Sequence, residues 1–171
     1  MASFANDASS HDRLDFELLA GGGIALYHSK DVLAEDVAWL RREGYALREL
    51  ACAAWTSEEA FHAEVARTFE FPAYYGRNLD AFADCLGDVE VPERDGLAVV
   101  LRAVEGVRLR GGKLLWEVLD VFAGVIRSNL LVGRRLVVLA QSNDPRFELE
   151  PVGAMVVTWN RREWLDKKRG L

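Results

Sequence analysis

Phe71-Pro72-Ala73-Tyr74-Tyr75-Gly76-Arg77-Asn78-Leu79-Asp80-Ala81-Phe82-Ala83-Asp84-Cys85-Leu86 reads as an aromatic turn feeding a short, capped helix. Pro72 stops any helix that precedes it. Asn78 is a favoured N-cap type, which puts Asp80 in the first turn, and Gly87 terminates the pattern. With Asp80 at zero on a wheel of about 100° per residue, Asp84 falls near +40° and Asp88 near +80°. Leu79, Phe82, Ala83 and Leu86 fall between about −60° and −160°. One face therefore packs and the other carries carboxylates. Such a face is ordinarily solvated, and an acid in the first turn also complements the helix dipole. The alternative is a recognition surface for a cationic partner. Tyr74 and Tyr75 at its edge favour that alternative, because aromatics anchor interfaces.

Working outward, Thr56-Ser57-Glu58-Glu59 marks a helix start, with Phe61, Val65 and Phe69 along one face. Upstream, Ile24 to His28 reads as a strand, Ser29 to Glu43 as a helix ended by Gly44, and Tyr45 to Cys52 as a strand. That order forms a βαβ unit and predicts a parallel pair. Gly21-Gly22-Gly23 lacks phosphate-loop spacing and reads as a flexible lead-in. Downstream, Leu97 to Leu101 and Leu136 to Ala140 are continuous apolar runs, as in strands buried on both faces. Val104 to Lys113 reads as loop, and Leu114 to Asn129 as a long amphipathic helix. Met155 to Trp159 suggests a short strand and Arg161 to Lys168 a terminal helix docked by Trp159 and Trp164. The fold class is α/β: a small, mostly parallel sheet of three to five strands covered by helices. Residues 1–14 read as a disordered tail, 15–43 as a βα extension packed on the main domain, 44–141 as that domain, and 142–171 as a C-terminal extension.

The chain has 171 residues and a formal charge of −6, unevenly spread. Arg161 to Gly170 holds five bases against two acids, so the remainder carries −9. Residues 76–95 alone hold six acids and two bases. An acidic body disfavours nucleic acid and favours a basic partner. Cys52 and Cys85 are too few for a disulfide framework and read as reduced thiols in a cytoplasmic protein. No apolar run approaches the roughly 18 residues of a membrane helix, and the N-terminal residues lack the pattern of a secretory signal.

Asp80 and Asp84, one turn apart, also have the spacing of a general acid–base pair or of metal ligands. They lack company. His11, His28 and His62 are scattered, with no metal-ligand spacing, and no nucleophile elbow is present. Cys85 has no basic neighbour to activate it.

The run from Tyr74 to Leu86 resembles the signature of the barstar family, intracellular inhibitors of secreted-type ribonucleases, whose motif reads Tyr-Tyr-Gly-x-Asn-Leu-Asp-Ala-Leu-Trp-Asp-Cys-Leu. The order of strands and helices from about Gly44 to Gln141 resembles that fold. The resemblance implies an inhibitor, not an enzyme, with no cofactor and no metal, which occludes a basic ribonuclease or another toxin protein. By position it implies that Tyr74, Asp80 and Asp84 touch the partner and that Gly76 and Asn78 shape the loop and start the helix. Tyr75 and Asp88 extend that partner-binding set. Two departures stand out. Ala83 replaces the motif's Trp, and Gly124 and Ser128 occupy the places where the family's later helix offers acids; Glu117 and Asp120 are the nearby candidates to substitute.

Overall fold

The strands that read as continuous apolar runs are buried throughout. In the computed structural model, which describes residue 4, residues 8–92 and residues 95–171, β3 (Leu97–Arg102) is buried except at its last residue and β4 (Leu136–Gln141) at all six positions. β1 (Ile24–Tyr27) is also buried throughout, whereas β2 (Ala46–Ala51) is mostly half-exposed. These strands and β5 (Thr158–Trp159) form one five-stranded parallel sheet in the order β2-β3-β4-β1-β5. A parallel strand buried on both faces needs a layer above and below. Those layers come from α2 (Leu14–Ala20), α3 (Lys30–Arg42), α4 (Glu58–Thr68), α5 (Leu79–Gly87) and α6 (Lys113–Leu131). Ser29, Ser57 and Asn78 cap α3, α4 and α5 through their side-chain oxygens.

Four sequence expectations are corrected. First, β1 and β2 are parallel but not neighbours, since β3 and β4 lie between them. The N-terminal strand therefore enters the sheet beside β4, with Ile24 opposite Val138. Second, the triple glycine is fixed. It ends α2, with Gly23 N donating to Leu18 O at 2.8 Å. Gly23 has φ 83°, and a Cβ there would lie 2.7 Å from the Ile126 side chain, so only glycine fits. Third, part of the tail is ordered. Residues 1–3 and 5–7 lie outside the described residues, as does Glu93, but Ala8–His11 forms a helical turn, α1, and the Phe4 ring packs edge-on against Phe16 at 5.2 Å. Fourth, no α-helix follows Asn160. Its side chain accepts from Arg162 N at 2.9 Å, and the segment then turns and ends in a 3₁₀ turn, Asp166–Arg169.

Polar contacts draw that C-terminal segment onto the sheet. Glu163, almost wholly buried, accepts from His28 N at 3.1 Å and Ser29 N at 2.7 Å, at the start of α3. Buried Asp36 accepts from Tyr27 Oη, Asn160 Nδ2 and Arg162 at 2.9, 2.9 and 2.6 Å. Arg169 lies over the Trp159 ring at 4.5 Å, whereas Trp164 is 61% exposed.

Asp15 performs the matching task at the other end. Its side chain is fully buried and accepts from Arg13 Nε at 3.0 Å, Tyr45 Oη at 2.7 Å and Arg135 at 2.9 Å. It thereby joins α2 to residues bordering β2 and β4. Burial raises its pKa, but the bonds from Arg13 and Tyr45 and the charges of Arg13 and Arg135 outweigh this and hold it below the usual carboxylate value. Asp15→Ala removes the acceptor that Tyr45 and Arg135 share, and a loss of about 3–5 kcal/mol in urea unfolding is expected, as for a broken buried ion pair.

Candidate functional site

The turn before α5 is built from inward-facing aromatics. α4 ends at Thr68, and Glu70 adopts φ 57° while Phe71 N reaches back to Ala66 O at 2.9 Å. Phe71 then packs with its ring tilted against Tyr75 at 4.9 Å, and Phe82 of α5 packs at 5.5 Å from Phe61 and 5.9 Å from Phe122. This cluster fixes the turn to α4 and α6. The two tyrosines consequently part company. Tyr74 is 82% exposed, while Tyr75 is 9% exposed, with its hydroxyl 2.5 Å from Nδ1 of buried His62. Tyr75 is thus a packing residue and not an edge anchor, a correction to the sequence reading. Adjacent residues in a turn commonly face opposite ways, and composition alone does not reveal which faces in.

Gly76 and Asn78 are exposed, and Asn78 Oδ1 accepts from Ala81 N at 2.8 Å. Asp80, Asp84 and Asp88 are all exposed, the last as the C-cap residue of α5. None of the three forms an ion pair among the described residues. On the opposite side, Phe82 and Leu86 are fully buried. The amphipathic split drawn from spacing holds.

α6 behaves differently. Gly124 and Ser128 are exposed and carry no charge. Neither suggested substitute is free. Glu117 pairs with Arg110, which also pairs with Glu58 at 2.9 Å, and Asp120 accepts from Gly153 N at 2.8 Å. On the β2 side of α5 lies a cleft of about 580 Å³ that includes Arg48, Glu70, Tyr74, Asp88 and Glu90. Arg48 and Glu90 are far apart in sequence, and no local signal joins them. Cys85 also borders it, and burial together with Asp88 and Asp84 pushes its thiol pKa up, which opposes reactivity. Among the described residues, no three His, Cys, Asp or Glu side chains are grouped to hold a metal, and no helix is long and apolar enough to cross a membrane.

An aromatic-edged row of unpaired carboxylates suits charge-assisted bonds to Arg or Lys of another protein. Residues 45–141 match the protein family described as Barstar (barnase inhibitor). A Bacillus subtilis (strain 168) protein named "Putative ribonuclease inhibitor YrdF" is 41% identical over 64 residues, a match covering 37% of this chain and 66% of that protein.

Two measurements test this arrangement. Tyr75→Ala should cost about 3–5 kcal/mol of stability, as for other buried aromatics, and Tyr74→Ala no more than about 0.5 kcal/mol. His62 is held below its ordinary value of 6.5 by burial and by the charges of Arg110 and Arg77, against the opposing pull of Glu58. The unfolded chain therefore takes up this proton first as pH falls. Its contribution is complete above about pH 6.5 and declines as pH drops through the folded value. Unfolding free energies at pH 7 and pH 5 should differ less in His62→Gln than in the unaltered protein.

Proposed function

This chain belongs to the barstar family, and on that premise we propose that it is a protein inhibitor that binds a ribonuclease and occludes its active site. The observation that carries the reading is the row Asp80, Asp84 and Asp88, exposed and unpaired beside Tyr74 on a rigidly anchored helix. A ribonuclease pocket that holds RNA phosphate is cationic, and carboxylates presented there compete for the same donors. Asp80 and Asp84 accept from Arg or Lys of the pocket, Asp88 continues the row, and Tyr74 packs against its rim. Gly76 and Asn78 hold the loop and helix start. Such a protein acts by steric and electrostatic occlusion, without chemistry of its own. Its place is the cytoplasm, where an active ribonuclease is harmful.

A second reading keeps the scaffold and changes the target to another toxin or a regulatory protein. The uncharged Gly124 and Ser128, with Glu117 and Asp120 bound internally, favour it, because lost carboxylates lower affinity for a strongly basic pocket.

Binding to a cognate ribonuclease, measured with and without Asp84→Ala, tests the first reading. A loss of about 2–5 kcal/mol is expected, the range for truncating a buried interfacial charge. Equal affinities would remove the mechanism.

A further inference from the structure

Arg77 interrupts the acidic face. It is exposed, directly precedes the helix cap, and forms no ion pair among the described residues. Its φ of 49° lies in the left-handed region that side-chain-bearing residues rarely adopt. The backbone around it is fixed, with Tyr75 N bound to Pro72 O at 2.9 Å and Asn78 Oδ1 holding Ala81 N at 2.8 Å. Its charge reaches the buried His62–Tyr75 pair. Arg77 thus stands on a held backbone at the head of α5, three residues before Asp80, with no ion-pair partner among the described residues.

Interfaces match potentials, and like charges brought face to face are costly. A pocket cationic throughout would attract Asp80 and Asp84 and repel Arg77. The planar fork of Arg suits a carboxylate, which it can bind through two parallel bonds.

We propose that Arg77 is a selectivity residue of this docking face: the partner presents cations to Asp80 and Asp84 and a carboxylate to Arg77. Enzymes whose active-site mouth is basic throughout are thereby disfavoured. This rests on the ribonuclease-docking reading above.

The probe is barnase, the enzyme named in the family description, whose association with its inhibitor is charge-steered. The unaltered chain, Arg77→Gln and Arg77→Glu are compared in stopped-flow association, each with and without Asp84→Ala. The association rate should rise by about threefold for Gln and about tenfold for Glu at low ionic strength, and the gain should shrink with added salt. Asp84→Ala should weaken every version. If the Arg77 variants, folded by circular dichroism, associate no faster than the unaltered chain while Asp84→Ala still weakens binding, the selectivity role is overturned and the docking reading survives. If Asp84→Ala changes nothing in any version, the docking reading fails and the inference with it. Arg77→Gln carries the same decision if Arg77→Glu does not fold.

Discussion

A parallel strand that is apolar along its whole length must be enclosed on two faces and two edges. β4 meets that requirement at all six of its residues, and the rest of the molecule follows from how it is met. β3 closes one edge with the family-matched part of the chain. β1 closes the other, and β5 then lies beside β1. The segments outside residues 45–141 therefore complete the hydrophobic sheet instead of decorating it. Two buried carboxylates, Asp15 and Asp36, fasten them. Each is buried where an unpaired charge would be intolerable, and each is surrounded by donors drawn from distant parts of the chain.

This arrangement divides the molecule by purpose. The β1–β5 side spends its charges on itself: Arg162 and Arg169 of the basic C-terminal stretch are both engaged internally. That removes much of the free positive charge suggested by composition. The α5 side does the opposite. Its carboxylates face water unpaired on a helix held from beneath by an aromatic cluster. A helix so anchored loses little further freedom on docking, and pre-organisation of this kind favours tight association.

Local features were legible in the sequence where local chemistry decides them. Asn78, Ser57 and Ser29 announce helix starts, and the 3.6-residue period separates Phe82 and Leu86 from Asp80 and Asp84. The unbroken runs at Leu97 and Leu136 announce buried parallel strands. What escaped detection depends on residues far apart in the chain. The neighbour of β1 is set by residues more than a hundred positions away. The inward turn of Tyr75 depends on His62 in α4. The terminal segment contains good helix formers, yet Glu163 finds free backbone donors at the start of α3, and that tertiary contact overrides propensity. The glycines before β1 read as slack because α2, the helix they terminate, has only seven residues and is too short to carry a clear period.

The strand order also imposes a timetable. β1 precedes the other four described strands in the chain, yet it pairs only with the last two of them, Ala25 lying between Leu139 and Thr158. On the ribosome, β2 and β3 can pair while β1 still waits, an apolar segment with no edge to join. Completion of the sheet is postponed until Thr158 and Trp159 have emerged, and closure over such separations is slow. During that interval Leu26 and Tyr27 remain open to other chains, so the protein's most exposed period falls during its own manufacture.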